Sequence, residues 1–430
     1  MSDIAQHTPV ALEDAQTHGP RERLQIQLWS YNYDPEPCGI APLSGVWARA
    51  MSELGHEVTV ISAHPHYPAP IWGRRIRPYW ETCDGIRVLR LPLWIGRDSS
   101  LARIRQELSY TASLALAAPF TGSPDVKVAV SPCFPALLPT MVSAGVRKVP
   151  WALWIQDILP DGAATTGLVK SGPLLTASRR LEASAYRHAS RIVVISEAFR
   201  RNLEHKGVPT TKIATIYNPS ARTVGPYREP TVTPGADRLL VMGNIGFSQG
   251  LDAFVAAVER SDVLQTTGAE LRIAGHGVAY DDVAAQIRSD RVKMLGLLMG
   301  DEMDDELSTT SLGIVTQRSD VTEFNLPSKL MHYMGSSLPV LAVVHPDSEC
   351  ARIVRHAGAG WVLDVRRLDE DLRDLLVTIL DDPQEMRTRG RAAHDFAARH
   401  FDPAEVAAAY ERELTPLVSR ARVGDQSAHN

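Results

Sequence analysis

The stretch QIQLWSYNYDPEPCGIAPLSGVWARAMSELGHEVTVIS, residues 25–62, decides the fold class. It opens with an apolar run at Gln25–Ser30 and closes with another at Glu57–Ser62, and both are typical of buried strands. Between them, apolar residues repeat at helical spacing from Leu43 to Leu54, and Gly55 ends the helix. This order predicts a βαβ unit with two parallel strands.

The same alternation of strand and helix continues along the chain. In the first half, further strands are predicted at Ile86–Leu93, Val126–Ser131, Trp151–Ile155 and Arg191–Ser196. In the second half, strands are predicted at Arg238–Met242, Glu270–Ala274, Val292–Leu295, Leu312–Thr316 and Pro339–Val344. The fold class is therefore α/β, with two Rossmann-like, doubly wound halves. Such sheets bind ligands beyond the carboxyl ends of their strands, so we expect the functional site in a cleft between the halves.

The segment boundaries follow from composition. Residues 1–23 are polar and aperiodic, which predicts a disordered tail. The Pro-, Gly- and Thr-rich stretch Ser220–Asp237 predicts a linker between residues 24–219 and a second domain that ends at residue 402. A helix over residues 403–420 is expected to cross back to the first domain, followed by a tail at 421–430.

Composition excludes several classes of protein. The 430 residues have 44% hydrophobic side chains and a net charge of −5, which argues against nucleic-acid binding. The four cysteines have no CxxC spacing and predict reduced thiols in a cytoplasmic protein: Cys38, Cys83, Cys133 and Cys350. No apolar run has the length of a membrane span.

A candidate phosphate site lies in the stretch Leu326-Pro327-Ser328-Lys329-Leu330, where a helix begins. Pro327 is predicted at the first helical position, where its missing N–H costs nothing. The next turn offers free backbone N–H groups, the positive end of the helix dipole and the Lys329 ammonium, a combination suited to a diphosphate. The alternative is an ordinary helix that starts at a proline and carries a surface lysine.

Glycine-rich turns precede helices in both halves. Gly39 separates the first strand from the first helix, and the loop Gly243–Gly250 occupies the corresponding position in the second half. Gly275 ends the following strand. Glycine allows the backbone to approach a ligand at a helix start, although a tight turn explains Gly39 equally well. No GxGxxG motif is present at either place, so a dinucleotide site is unsupported.

Acceptor-side candidates lie at strand ends of the first half. Gln156 and Asp157 end the fifth predicted strand, where a carboxylate can accept a substrate hydroxyl or act as a base, or can cap the next turn. His66 belongs to a His-Pro-rich loop that we expect at the edge of the cleft, in contact with an acceptor. The stretch Asp369–Asp371 matches a DxD motif but directly precedes a helical run, so capping explains it better than a metal. We expect no metal and no cofactor.

An ordered set of these motifs resembles a known family, the retaining, nucleotide-sugar-dependent GT-B glycosyltransferases of family four. The likeness is strongest to the exopolysaccharide, colanic-acid-type branch, and it extends from about residue 24 to residue 418. The motifs that carry it are Gly39 with its helix, Gln156-Asp157, Ser190–Ser196, Ile216–Pro219, Gly243–Leu251 and Pro327–Val340.

The resemblance implies a nucleotide-sugar donor on the second domain and an acceptor on the first. Gly39 would lie near the diphosphate, Leu297 and Leu298 near the base, and Lys329 with the N–H groups around Ser328 would hold the diphosphate without a metal. Asp157 and Lys329 are then the catalytic candidates.

This chain departs from the family pattern at four of the implied donor-binding positions. Asn244 and Gln249 occupy positions that carry Arg and Lys in many members. Glu323 approximates the first glutamate of the family pair, and His332 stands in place of the second.

The resulting hypothesis is a hexosyltransferase, with two open possibilities for the acceptor. One is a polyprenol-linked saccharide at the inner membrane face. Arg103 and Arg105 beside the apolar run Leu114–Phe120 fit a membrane-facing helix, although a core helix explains that run equally well. The other is a soluble biosynthetic metabolite. The alternative function is a non-catalytic nucleotide-sugar binder, whereas a GT-B epimerase or phosphorylase lacks a recognisable motif here.

Overall fold

The computed structural model describes residues 22–37, 39–67, 72, 75–96, 100–131, 133–157, 173–320 and 327–427. Of the predicted tails at 1–23 and 421–430, residues 1–21 and 428–430 lie outside the described residues, as do Cys38 and Glu323. Residues 421–427 are helical, so the prediction of a tail there is wrong. The strands are β1 (Gln25–Trp29), β2 (Glu57–Ala63), β3 (Tyr79–Cys83), β4 (Ile86–Leu91), β5 (Val126–Val130), β6 (Trp151–Ile155), β7 (Arg191–Val194), β8 (Ile213–Thr215), β9 (Arg238–Met242), β10 (Glu270–Ala274), β11 (Val292–Gly296), β12 (Leu312–Thr316), β13 (Val340–Val344) and β14 (Gly360–Asp364).

Helices separate most of these strands. They are α1 (Ile40–Glu53), α2 (Ser100–Ala117), α3 (Leu137–Arg147), α4 (Pro173–His188), α5 (Glu197–His205), α6 (Leu251–Ser261), α7 (Val263–Thr267), α8 (Tyr280–Ala284), α9 (Asp301–Ser308), α10 (Ser328–Gly335), α11 (Glu349–Ala357), α12 (Leu368–Leu380), α13 (Pro383–His400) and α14 (Pro403–Ser427). None of the helices in the described residues is long and apolar enough to cross a bilayer.

The strands form two sheets, as the sequence predicted. The first has the order β3-β4-β2-β1-β5-β6-β7-β8 and the second the order β11-β10-β9-β12-β13-β14. All neighbouring strands pair in parallel except β3 and β4. The carboxyl ends of the parallel strands therefore lie at one edge of each sheet, which is where such folds place their ligands.

Three strands were missing from the sequence prediction, and all lie toward sheet edges. β3 and β8 are the terminal strands of the first sheet, and β14 is a terminal strand of the second. Strands that are buried on both faces read as continuous apolar runs, whereas the side chains of β3 alternate between exposed and partly buried. The pattern used for the central strands therefore does not detect β3. The strand β8 has only three residues, and β14 is buried at only two of its five positions.

The last helix packs on the first sheet although it follows the second. Val406, Tyr410 and Leu414 of α14 belong to the apolar core of the first half. The Tyr410 ring lies 5.3 Å from that of Trp47 and 5.4 Å from that of Trp154, centroid to centroid. The predicted end at residue 420 followed the apolar stripe of this helix, which stops at Val418. The helical backbone continues beyond it to Ser427.

The carboxyl edges of the two sheets meet. The helix α5 begins after β7 of the first sheet, and α11 begins after β13 of the second. The backbone N–H of Glu197 at the start of α5 donates to Oε1 of Glu349 at the start of α11, at 3.3 Å. Arg352 on α11 also donates to the Tyr217 hydroxyl at 3.1 Å. The site-bearing edges thus face each other across a cleft, as in the expected GT-B arrangement.

Candidate donor and acceptor site

The loop after β9 is held against the end of β10. The N–H of Gly243 donates to the Ala274 carbonyl at 2.9 Å, and that of Ile245 donates to the His276 carbonyl at 3.0 Å. Gly275 has φ +152°, and a Cβ atom there would lie 1.9 Å from the Gly243 oxygen. Position 275 therefore requires glycine, and its role is to let two strand-end loops approach each other.

The helix α10 begins one residue later than the sequence predicted. Pro327 is its N-cap, with φ −64° and ψ 127°, so Ser328 and not Pro327 is the first helical residue. Proline fixes φ but leaves ψ free, and here ψ is extended. This later start of the helix favours anion binding, because the N–H groups of Ser328 and Lys329 both lie in the first turn, where they have no intrahelical acceptors.

Lys329 is the most unusual charged group near this helix. Its side chain is only 7% exposed, and Nζ donates to Oε1 of Gln249 at 2.6 Å. Burial lowers the pKa of the Lys329 ammonium from 10.5 to about 8. Among the described residues no carboxylate forms an ion pair with it. An anion beside Nζ would offset the cost of burying this charge.

These elements enclose a cavity of about 410 Å³. Seven of the residues predicted to bind the donor line it: Gly243, Asn244, Gln249, Pro327, Ser328, Lys329 and His332. The Gln249 amide also donates to the Asn244 carbonyl, so the neutral side chain bridges the loop and the lysine. Gln249 and Lys329, which are 80 positions apart in the sequence, therefore line the same cavity.

A second cavity of about 920 Å³ adjoins the first. It lies between the stretch 220–231 and the turn that holds Leu297 and Leu298, and it shares Met303 and His332 with the first cavity. Burial, together with nearby Arg222, lowers the pKa of His332 below its usual value. The imidazole is therefore neutral at pH 7, where a glutamate would carry a charge.

In the first half, Gly39 is the N-cap of α1, with φ +66° and ψ −138°. L residues rarely adopt this conformation, and no atom of the described residues lies within 4 Å of where a Cβ would stand. The backbone at the start of α1 is thus open to close approach by a ligand.

Gln156 and Asp157 lie at the end of β6. The Gln156 amide exchanges two hydrogen bonds with the Asn218 amide, at 2.6 and 2.8 Å. Asp157 is partly buried, and its carbonyl accepts from the Ser131 hydroxyl at 3.2 Å. The reciprocal pair ties the end of β6 to the segment that leaves the first sheet, so Gln156 has a local role that the sequence did not predict.

His66 differs from expectation, because it is only 1% exposed. The buried carboxylate of Glu36 accepts from the N–H groups of His66 and Tyr67 at 2.7 and 2.8 Å, and from the Asn32 amide at 2.6 Å. Glu36 lies 30 residues before His66, which explains why no local pattern indicated the pair. His66 thus belongs to the buried frame of this loop rather than to its exposed edge.

Comparison with known proteins gives a family match to one part of the chain. The family model "Glycosyl transferase 4-like domain" matches residues 39–219. The chain is 26% identical over 336 residues to the putative colanic acid biosynthesis glycosyl transferase WcaI of Escherichia coli, which is 73% of this chain and 81% of that protein. It is 25% identical over 223 residues to the probable glycosyltransferase WbjE of Pseudomonas aeruginosa, or 49% and 55% of the two chains.

Among solved structures, Anabaena HepE in complex with UDP matches with a TM-score of 0.61 at 15% identity, over 91% of this chain and 100% of that one. This likeness shows a shared GT-B fold. The chain is a glycosyltransferase of the GT-B fold.

Three residues at or beside the smaller cavity were missed by the sequence analysis. Thr316, which ends β12, and Gln317, which follows it, line the cavity, and the Thr316 hydroxyl is buried without a hydrogen-bond partner among the described residues. The strand-end argument that selected Gln156 and Asp157 would also have found them. Arg318 adjoins Gly250 and pairs with Asp320 at 3.1 Å, so Lys329 is not the only cation beside this loop.

Proposed function

We propose that this glycosyltransferase transfers a sugar, with retention of anomeric configuration, from a nucleotide-diphosphate sugar to an acceptor hydroxyl. Residues 24–219 form the acceptor domain, residues 220–402 the donor domain, and the helix α14 (Pro403–Ser427) returns to the acceptor domain. The observation that carries the proposal is the convergence of a buried lysine, a helix N-terminus and a glycine loop on one cavity.

The donor cavities suit the two parts of a nucleotide. The Lys329 ammonium and the N–H groups of Ser328 and Lys329 bind the diphosphate in the smaller cavity. The nucleoside occupies the adjoining one beside Leu297 and Leu298, and neutral His332 lies at the junction of the two. Negative charge on the leaving diphosphate grows in the transition state, so these positive groups stabilise it more than the bound donor and accelerate transfer.

The acceptor binds at the opposite edge of the cleft. Asp157, at the end of β6, accepts a hydrogen bond from the acceptor hydroxyl, and Gly39 lies close to the donor diphosphate across the cleft. Glu36 and His66 shape the loop beside this position. The acceptor is a polyprenol-linked saccharide or a soluble metabolite. The name of the E. coli relative, which refers to colanic acid biosynthesis, favours the saccharide.

The test begins with thermal-shift screening of nucleoside diphosphates, followed by NMR of the products formed from the matching nucleotide sugar. The proposal predicts consumption of the donor and a product with the donor's anomeric configuration. Inverted configuration would contradict retention. Donor binding without turnover, with every saccharide and metabolite acceptor supplied, would indicate a non-catalytic nucleotide-sugar binder.

A further inference from the structure

Thr316 has a buried hydroxyl group that makes no hydrogen bond within the described chain. It ends β12, its side chain is only 2% exposed, and it lines the cavity of about 410 Å³. Its Oγ1 atom has no hydrogen-bond partner among the described residues. A buried hydroxyl without a partner destabilises a fold, and native proteins keep few of them. The Thr316 hydroxyl therefore indicates a partner that is not part of the chain.

The strands β9 and β12 diverge beside Thr316. Their pairing along the described chain ends at Leu240 and Gly313, before either strand ends. Beyond that pair, the Tyr333 hydroxyl of α10 donates to the Leu240 carbonyl and accepts from the N–H of Met242, both at 2.9 Å. A side chain thus replaces strand pairing near the carboxyl ends of β9 and β12, and this leaves a gap between the two ends.

The gap coincides with the switch point of the second sheet. In the order β11-β10-β9-β12-β13-β14, the chain proceeds from β9 toward β11 on one side and from β12 toward β14 on the other. Doubly wound sheets bind ligands in the crevice beyond the carboxyl ends of the strands at such a point. Thr316 therefore ends a strand at the position where the topology of the sheet favours a ligand.

Thr316 and Lys329 belong to opposite faces of the second sheet. Ile314 packs in the core beneath α6, and Thr316 follows it on the same face of β12 because side chains alternate along a strand. On the opposite face, Val315 packs in a core with Leu330 of α10, the helix that carries Lys329. A ligand in the cavity is therefore bounded by Lys329 on the side of α10 and by Thr316 on the side of α6.

The charged and hydrogen-bonding groups of this cavity suit an anion. No aspartate or glutamate of the described residues lines it, whereas Lys329 and the first helical N–H groups of α10 do. Oε1 of Gln249 already accepts from the Lys329 ammonium at 2.6 Å. Sugar hydroxyls need acceptors as well as donors, whereas phosphate oxygens need donors alone. The Thr316 hydroxyl therefore adds a donor to a set that fits phosphate better than sugar.

The position of β12 in the sheet indicates which phosphate Thr316 contacts. The nucleoside is proposed to lie beside Leu297 and Leu298, which follow β11, and β10 and β9 separate β11 from β12. Neighbouring strands lie about 4.8 Å apart, so three steps correspond to about 14 Å. A nucleoside diphosphate that extends along this edge brings its distal phosphate, rather than the one attached to the ribose, to Thr316.

We infer that the Thr316 hydroxyl donates a hydrogen bond to the distal phosphate of the bound nucleotide, the phosphate that carries the transferred sugar. The inference rests on the proposed function for the identity of the ligand. Because the hydroxyl has no partner within the described chain, it breaks no bond there when it binds phosphate. Negative charge on this phosphate grows as it leaves the sugar, so the hydrogen bond is stronger in the transition state than in the bound donor.

The test is calorimetric titration of Thr316→Val and Thr316→Ser. Uridine, guanosine and adenosine diphosphates are first tested on wild type, and the tightest is then compared with its monophosphate. Thr316→Val removes the hydroxyl and keeps the branched shape, so it should bind the diphosphate about tenfold more weakly and the monophosphate like wild type. Thr316→Ser keeps the hydroxyl and should bind both like wild type. In transfer assays Thr316→Val should also lower kcat, because the bond strengthens in the transition state.

Thr215→Val is the matched control. Thr215 ends β8 of the first sheet, its hydroxyl is also buried without a partner among the described residues, and it lines neither cavity. Both valine variants should unfold at or above the wild-type temperature, because each removes an unpaired buried hydroxyl. Only Thr316→Val should lose diphosphate affinity. Thr316→Ala carries the same expectation for binding if Thr316→Val does not fold.

Three results would overturn the inference. They are unchanged diphosphate affinity in folded Thr316→Val, an equal loss for the diphosphate and the monophosphate, and a loss in Thr316→Ser as large as that in Thr316→Val. A wild type that binds none of the three diphosphates contradicts the proposed function instead. Wild-type binding and transfer that Thr316→Val leaves unaltered contradict only the role of the Thr316 hydroxyl.

Discussion

Replacing Lys329 by methionine should weaken donor binding and stabilise the protein. The ammonium is 7% exposed and donates to Gln249, in a position where a diphosphate is proposed to bind. Charge-assisted hydrogen bonds of this kind contribute about 1.5–3 kcal/mol. Lys329→Met should therefore lower nucleoside-diphosphate affinity by about ten- to a hundredfold and leave nucleoside affinity unchanged.

The stability effect follows from the pKa. Because the folded state lowers the pKa of Lys329 from 10.5 to about 8, burying the charge costs about 3 kcal/mol below pH 8. The variant removes that cost but leaves Gln249 without its donor, a loss of about 1 kcal/mol. We expect a gain of about 2 kcal/mol in the free energy of unfolding at pH 7. The gain should shrink between pH 8 and 10.5, where wild type loses the proton on folding and gains stability.

The assays are calorimetric titration with a nucleoside and its diphosphate, and denaturant unfolding at several pH values. Lys127→Met is the matched control. Lys127 is also buried, its pKa is also lowered to about 8, and its Nζ donates to the Ser143 hydroxyl at 2.6 Å in the first half. It should change stability in the same direction and leave diphosphate affinity unchanged. Unchanged diphosphate affinity in Lys329→Met would refute the reasoning, because a lysine without a ligand predicts no effect on binding.

Three further predictions concern the same cleft. Diphosphate binding at about pH 9 should be accompanied by proton uptake in wild type but not in Lys329→Met, because a bound anion raises the lowered pKa of Lys329. Calorimetry in buffers of different ionisation enthalpy measures the number of protons taken up. Transfer should survive EDTA, because the N-terminus of α10 and Lys329 supply positive charge; loss that magnesium or manganese restores would show a metal-bridged diphosphate. Asp157→Asn should lower turnover and keep nucleotide affinity within a few-fold of wild type, and a large loss of affinity in a folded variant would place Asp157 on the donor side instead.

The central strands and the donor-side helix were predictable because each has a local signature. Strands such as β6 and β12 are buried along their whole length and read as apolar runs, and α10 is preceded by Pro327. By contrast, the side chains of β3 alternate in burial, β8 has only three residues, and β14 is buried at only two of its five positions. The exact first residue of α10 depends on the backbone angle ψ of Pro327, which the composition of the segment does not specify.

The contacts within the site that the sequence did not predict join distant segments of the chain. Glu36 is recognisable as the anchor of the His66 loop only when β1 and β2 are side by side. Gln249 reaches Lys329 across 80 positions, and no local motif records that bond. For Thr316, the sequence shows that the residue ends a predicted strand, but it does not show that the hydroxyl is buried.

The most direct test of the account is a crystal structure of the chain with the nucleoside diphosphate that stabilises it most in thermal-shift screening. The account predicts a phosphate within hydrogen-bonding distance of Lys329 Nζ and of the N–H groups of Ser328 and Lys329, with the nucleoside beside Leu297 and Leu298. A diphosphate bound elsewhere, with Lys329 still held only by Gln249, would contradict it.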